Sequence, residues 1–182
     1  IPDGRVPLYL NPGLTFGTGS HPTTQLCLEL LEDAVIPGCR ALDLGCGSGI
    51  LAIAALALGA EHVTGVDIDP KAVDVAYENA AMNGVGRDRL TVLAGNVLGD
   101  RKLAEKLEPG RNQVVLANIV ADVIIPLSAA AGEFLTPDGV FLTSGIIDER
   151  ADEVEAAIRA NGFTITRQLE RAGWCAFRAE RA

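Results

Sequence analysis

Three glycines and two acids carry the chemistry most legible in this chain. Asp43-Leu44-Gly45-Cys46-Gly47-Ser48-Gly49 follows a short apolar run, Arg40-Ala41-Leu42, and leads into an Ala/Leu-rich stretch. Asp67 ends a second apolar run, His62-Val63-Thr64-Gly65-Val66, 22 residues after Gly45. Strand, glycine turn, helix, strand and acid is the layout of a nucleoside-binding βαβ unit. The glycines let a ligand approach the backbone, and the acid accepts hydrogen bonds from ribose hydroxyls. Asn118 ends a further apolar run, where its side-chain amide can both accept and donate hydrogen bonds. His21 lies in a segment, Asn11 to Thr24, dense in glycine and hydroxyls, and is the one candidate general base. Plainer readings stand beside these. Asp67 can be a turn residue before Asp69-Pro70, Asn118 a cap for the next helix, and His21 the holder of a structural hydrogen bond. His62, near a strand start, reads as structural.

The elements that must position these residues follow from periodicity and turn chemistry. Strands are predicted at 40–44, 62–67, 90–94, 113–118 and 139–144, and helices at 49–58, 70–83, 100–107, 122–135 and 148–161. Residues 1–19, rich in Pro and Gly, form an irregular lead-in with a short strand around Val6–Leu10. Ser20 or Thr23 caps a first helix that runs to about Ala34, and Pro37-Gly38 ends it. Asp69-Pro70 starts a helix, whereas Asn83-Gly84 and Asn161-Gly162 stop helices. Strands alternating with helices at this spacing predict a parallel sheet covered on both faces. The tail differs: Phe163–Glu170 and Trp174–Arg178 flank Ala172-Gly173 with no helix between them, which predicts a closing hairpin.

The spacing also discriminates between nucleosides. A nicotinamide fingerprint reads G-x-G-x-x-G, whereas here Gly45, Gly47 and Gly49 read G-x-G-x-G, with Ile50 where the third glycine would fall. Asp43 precedes the first glycine by two residues. The D-x-G-x-G-x-G loop, the acid after strand two and the antiparallel end resemble a class I S-adenosylmethionine-dependent methyltransferase. That resemblance implies a Rossmann-like α/β fold: a mostly parallel seven-stranded sheet, helices on both faces and an antiparallel C-terminal hairpin. Many amine methyltransferases carry an Asn-Pro-Pro-aromatic tetrad after strand four. Here Asn118 is followed by Ile119-Val120-Ala121, so only the Asn is kept.

Longer runs carry a narrower resemblance. Asn11-Pro12-Gly13, Phe16-Gly17-Thr18-Gly19-Ser20-His21-Pro22-Thr23-Thr24, Gly65-Val66-Asp67-Ile68-Asp69-Pro70, Asn79-Ala80-Ala81-Met82-Asn83-Gly84, Ala117-Asn118-Ile119, Ser144-Gly145-Ile146 and Trp174-Cys175 together resemble the PrmA family, which methylates ribosomal protein L11. The resemblance implies that Thr24, Gly45, Asp67 and Asn118 contact S-adenosyl-L-methionine, and that S-adenosyl-L-homocysteine is the product. It implies that Phe16, Gly17, Thr18 and Gly19 lie near the reactive end of the cofactor. Asp43, Gly47, Gly49, Ile68 and Asn96 complete the candidate cofactor-binding set. The implied acceptors are lysine side chains and a chain-terminal α-amine. By the same resemblance residues 1–182 are the catalytic domain, with 1–19 as its cofactor-covering lead-in and the family's N-terminal recruiting domain absent. Ile1 rather than Met suggests that the natural start is missing.

Bulk properties bound the remaining classes. The chain has 182 residues, 48% of them hydrophobic, enough for one sizeable core. No apolar run approaches the ~18 residues that span a bilayer, and no secretory signal is visible. The four cysteines, Cys27, Cys39, Cys46 and Cys175, form no C-x-x-C pair. No metal site is expected, and free thiols suggest a reducing, cytoplasmic setting. The net charge of −9 argues against a nucleic-acid surface and is compatible with a basic protein substrate such as a ribosomal protein. Oligomeric state is not legible. The alternatives are a methyltransferase of another protein lysine or of a small-molecule amine and, in a different class, a non-catalytic nucleoside-binding module.

Overall fold

A computed structural model describes residues 2–11 and 19–182. In chain order these residues form α1 (Pro22–Ala34), β1 (Arg40–Leu44), α2 (Ile50–Ala57), β2 (His62–Asp67), α3 (Pro70–Met82), β3 (Leu90–Ala94), α4 (Arg101–Lys106), β4 (Asn112–Asn118), α5 (Ala121–Phe134), β5 (Leu135–Ile147), a 3₁₀ turn (Asp148–Arg150), α6 (Ala151–Ala160), β6 (Phe163–Arg171) and β7 (Trp174–Arg181). The seven strands make one sheet in the order β3-β2-β1-β4-β5-β7-β6. The first five run parallel, and β7 enters antiparallel between β5 and β6. The chain builds outward from β1 through β2 to β3, then returns to place β4 on the other side of β1. The carboxyl ends of β1 and β4 therefore sit side by side, with Leu44 in register with Ala117. Such a switch point leaves a crevice, which is where open α/β sheets take ligands.

Alternation along the strands sorts the core onto both faces of the sheet. Val114 and Leu116 pack with Leu26, Leu30 and Ile53 on the face of α1 and α2. Val115 and Ala117 pack with Ile124, Phe134 and Ile158 on the face of α5 and α6. In β1, Leu42 and Leu44 join the second cluster and Ala41 the first. Asp43 therefore shares the face of Ala41 and points into the side covered by α2. Helix α2, Ile50 to Leu56, is buried on all sides, as its uniform apolarity requires.

Four local expectations are corrected. The N-cap of α1 is His21, not Ser20 or Thr23. Pro22 is preset for the first helical position and needs no N–H partner, and the His21 side chain accepts from the Thr23 N–H. No strand forms around Val6–Leu10, because that segment finds no neighbouring strand; the backbone of Tyr9 pairs instead with the side-chain amide of Asn83, the C-cap of α3. β5 starts at Leu135 rather than 139, with a register shift against β4 between Asn112 and Val114. The helix expected over 148–161 divides into the 3₁₀ turn and α6. The closing hairpin forms where the tail predicts it, turning through Ala172 and Gly173, both at positive φ.

Candidate functional site

The glycine loop leaves β1 and folds back across the end of β2. The N–H groups of Gly45 and Cys46 both donate to the Val66 carbonyl, at 2.7 and 3.0 Å. The N–H of Gly47 donates to Asp67 Oδ2 at 2.9 Å, and Asp67 Oδ1 accepts from the Asp69 N–H at 2.9 Å. Asp67 thus latches the glycine loop to the start of α3. The turn before Asp69-Pro70 was one of the sequence's readings of Asp67; the hold on the glycine loop was not legible there. A carboxylate oxygen can accept more than one hydrogen bond, so capacity remains for hydroxyls. Gly45 has a φ of 79°, and a Cβ there would lie 2.5 Å from Ile119 Cγ2. Glycine is needed at this position both for its backbone conformation and for the approach of Ile119.

Two adjoining cavities open at the switch point and share Gly45, Asp67 and Ile119 as walls. The first, about 330 Å³, has an apolar lining that includes Leu44, Val66, Ile68, Leu98 and Leu127, with Asn96 and Asp122 among its polar groups. Ile68 is 72% exposed and stands directly after the acid. The second, about 210 Å³, is lined by Thr24, Asp43, Gly45, Gly47, Asp67 and Asn118, among others. Size and lining match the usual small-molecule site, mostly apolar with a few convergent polar groups. A larger cavity of about 450 Å³ lies between residues 4–8, α1 and α2, and none of the candidate residues lines it.

Two groups in the second cavity have no hydrogen-bond partner among the described residues. Asp43 is 1% exposed, and neither carboxylate oxygen has a hydrogen-bond partner. Burial pushes its carboxyl up to about 7; the backbone N–H of Ala52 offsets part of that without hydrogen-bond geometry, and the charge of Asp67 adds to it. Burial, reinforced by Asp43, likewise pushes the thiols of Cys27 and Cys46 up, so both stay protonated as small buried groups. The side-chain amide of Asn118, half-buried at the end of β4, makes no hydrogen bond within the described residues. An orphaned buried carboxylate is costly unless a cation or donor meets it.

The state of Asp43 has a measurable consequence. Its folded value lies above the ordinary 3.8, so the folded protein holds the proton more tightly than the unfolded chain. Its contribution to stability is full below about pH 4 and is lost as pH rises to about 7. The loss is on the order of 4 kcal/mol. Urea unfolding across pH 4 to 8 is expected to show this fall in the wild type and a flatter profile in Asp43→Asn. Equal slopes in the two proteins would show that the Asp43 carboxyl is unperturbed.

The other sequence-predicted residues distribute as follows. Phe16, Gly17 and Thr18 lie outside the described residues. Gly19 has a φ of 83° and packs where a Cβ would meet Ile50 Cδ1 at 3.0 Å, against a wall of the second cavity. Gly49 is the N-cap of α2. Asn96 lines the first cavity, and its Oδ1 accepts from the Leu98 N–H at 3.1 Å. His21 Nδ1 sits 2.8 Å from Thr23 Oγ1, and its ring meets that of Trp174 edge-on at 5.0 Å. It caps α1 and is not among the residues that line either cavity.

Sequence reasoning missed Ile119 and the α5 face formed by Asp122, Val123, Pro126 and Leu127. The one available signal was Pro126, which cannot donate within a helix and so marks an interrupted position. Among the described residues no cluster of His, Cys, Asp or Glu is arranged to hold a metal, and no helix is long and apolar enough to cross a membrane.

Comparison with known proteins places this geometry. A family model described as ribosomal protein L11 methyltransferase (PrmA) matches residues 2–182. The chain is 44% identical over 171 residues to the ribosomal protein L11 methyltransferase of Chromohalobacter salexigens, covering 94% of this chain and 54% of that protein. It is 46% identical over 172 residues to the protein of that name from Desulfitobacterium hafniense, covering 94% of this chain and 52% of that one. The chain spans about half the length of the curated relatives it matches. Among solved structures it resembles a ribosomal protein L11 methylase from Lactobacillus delbrueckii subsp. bulgaricus, with a TM-score of 0.80 and 32% identity, covering 90% of this chain and 80% of that one. A match along nearly the whole chain, repeated in relatives that share its sequence and in a structure that shares its fold, means that this chain belongs to the ribosomal protein L11 methyltransferase (PrmA) family.

Proposed function

We propose that this chain carries the catalytic site of an S-adenosyl-L-methionine-dependent N-methyltransferase acting on lysine or N-terminal amines of a protein, namely ribosomal protein L11. The observation that carries the proposal is the second cavity, where the glycine loop, Asp67, the orphaned Asp43 carboxylate and the Asn118 amide meet. The residues fit the cofactor's chemistry. The first cavity offers an apolar slot beside Asp67, suited to a nucleoside. The second offers a buried carboxylate, suited to a cationic amino-acid end.

Bound there, S-adenosyl-L-methionine supplies a methyl group on a positively charged sulfur with a neutral leaving group, and S-adenosyl-L-homocysteine remains. The protein's task is then alignment more than activation. Asp67 accepts from the ribose hydroxyls while keeping Gly47 in place. Asp43 supplies a counter-charge that becomes favourable to ionise when a cation enters. Asn118 offers its side-chain carbonyl to an N–H of the incoming amine and so directs the nitrogen lone pair into the cavity. A free lysine amine has a pKa near about 10.4, so it must arrive neutral or lose a proton on entry. Transfer from water into the half-apolar crevice favours the neutral form. His21 is committed to its cap, so water receives the proton.

The proposal is tested by methyl transfer from labelled cofactor to purified ribosomal proteins. The chain as given is compared with any longer form of the protein, because the chain spans about half the length of the relatives it matches. Label is expected on L11 with the longer protein. No label on any ribosomal protein from either form would overturn the proposal. Asn118→Ala is expected to lower turnover by about 10- to 100-fold, consistent with loss of one positioned hydrogen bond at the reacting group. Unchanged turnover would remove its assigned role.

A further inference from the structure

Helix α3 and its C-cap read Asn79-Ala80-Ala81-Met82-Asn83, a run with two asparagines four residues apart. Neither is among the residues lining the two cavities of the site. Asn79 is nevertheless 1% exposed, in a helix interior where alanine would cost less. Its amide bridges two separate segments. Nδ2 donates to the Ser48 carbonyl of the glycine loop at 2.8 Å, and Oδ1 accepts from the Asn11 N–H at 2.9 Å.

One turn later, Asn83 Oδ1 accepts from the Tyr9 N–H at 2.8 Å, and Nδ2 donates to the Tyr9 carbonyl at 2.7 Å. Nδ2 also donates to the Asn79 carbonyl at 2.7 Å. A side-chain amide that serves both backbone groups of one residue does what a neighbouring strand would do. Only one orientation of this amide satisfies both contacts, so Tyr9 fixes Asn83 as firmly as Asn83 fixes Tyr9. Arg5 pairs with Glu32 of α1 at 2.7 Å but on an exposed surface, where such a pair holds weakly. The segment ending at Asn11, whose Leu8 and Leu10 also pack on the core, is thus tied to the end of α3, and the same helix grips the glycine loop.

We propose that Asn79 and Asn83 are positioning residues that couple the lead-in segment to the glycine loop, so that the placement of one sets the ligand-binding geometry of the other. The cofactor arm of this inference rests on the methyltransferase reading; the coupling itself does not. Asn83→Ala decides it, because Asn83 is half-exposed at the helix end and touches neither the loop nor the cavities.

Two measurements on the wild type and Asn83→Ala test the coupling. In the ligand-free protein, amide exchange at Tyr9 and Asn11 is expected to speed by about tenfold or more, and the amide resonances of Gly47 and Ser48 are expected to move. By calorimetry, the affinity for S-adenosyl-L-homocysteine is expected to fall about tenfold while the thermal midpoint moves by only a few degrees. In Asn79→Asp the acceptor to Asn11 is kept and the donor to Ser48 is lost, so the affinity falls while Asn11 stays protected. Unmoved Gly47 and Ser48 resonances in Asn83→Ala, or an affinity within twofold of a binding wild type, would overturn the coupling. A wild type that binds no S-adenosyl-L-homocysteine would overturn the cofactor reading instead, and the exchange and resonance data would still decide the clamp.

Discussion

Asp67→Ala is expected to lower the affinity for S-adenosyl-L-homocysteine by at least about a hundredfold, a loss of about 2.7 kcal/mol. Three interactions go together. In the proposed binding mode the ribose hydroxyls lose a charged acceptor, and hydrogen bonds to charged groups each contribute about 1.5–3 kcal/mol. The Gly47 N–H, held at 2.9 Å by Oδ2, loses its partner, so the glycine loop is released. The Asp69 N–H, held at 2.9 Å by Oδ1, loses its partner at the start of α3. Asp67→Asn separates these effects. Its carbonyl still serves one of the two N–H groups, but its NH₂ faces the other as a second donor. Binding weaker than wild type and stronger than the alanine variant is expected for it. Calorimetry against S-adenosyl-L-homocysteine gives the affinities, and the thermal midpoint reports how much of the loss is structural. An alanine variant that binds within about threefold of wild type would refute the account.

Gly145→Ala is expected to cost about 3 kcal/mol or more of folding stability and to abolish turnover. Gly145 has a φ of 87°, and a Cβ there would fall 2.3 Å from the Ile119 carbonyl oxygen, 2.7 Å from its carbon and 2.9 Å from its nitrogen. All three are backbone atoms, so no rotamer change relieves the clash. Retreat is blocked on the other side, where Ile119 Cγ2 sits 2.5 Å from the Cβ position of Gly45. Ile119 is wedged between two glycines that have no side chains to yield. Its displacement carries Asn118 with it, and that couples the loss of stability to the loss of turnover. Gly162→Ala provides the control: its φ is 86°, yet a Cβ there meets nothing within 4 Å. Left-handed strain alone costs about 1–2 kcal/mol. Urea denaturation of both variants separates strain from collision. A Gly145→Ala cost no larger than that of Gly162→Ala would remove the wedge.

How far the site could be read from the chain depends on the distance over which each contact acts. The five parallel strands, the starts at Asp69-Pro70 and the stop at Asn83-Gly84 were legible because they depend on near neighbours: alternation, caps and positive φ. The glycine loop and Asp67 were legible for the same reason, since a βαβ unit places them together by local connection alone. The cap of α1 was misplaced by one or two residues because Ser20 and Thr23 are both good caps, whereas Pro22 at the first helical position made His21 the cap. The strand expected around Val6–Leu10 failed because strand character needs a partner, and the partner of its Tyr9 backbone proved to be the side chain of Asn83.

Ile119 shows the opposite case. Nothing in Asn118-Ile119-Val120 marks its second residue as the wall shared by two cavities, and Ser144-Gly145-Ile146 reads in the chain only as part of a family pattern. Their contact exists because β4 and β5 are adjacent in the sheet, with Asn118 in register with Ser144.

The order and type of residues in this chain already specified a nucleoside-binding α/β unit, a methyltransferase-like loop and the family pattern, because each rests on short-range spacing. Strand order was a matter for the folded molecule. The reversal at β1 and β4 brings Asp43, Asp67 and Asn118 into one crevice, leaves the Asp43 carboxylate without a partner, and gives Asn79 and Asn83 backbone to hold. Those are contacts between residues far apart in sequence, and their geometry follows from which strands lie side by side rather than from any local preference.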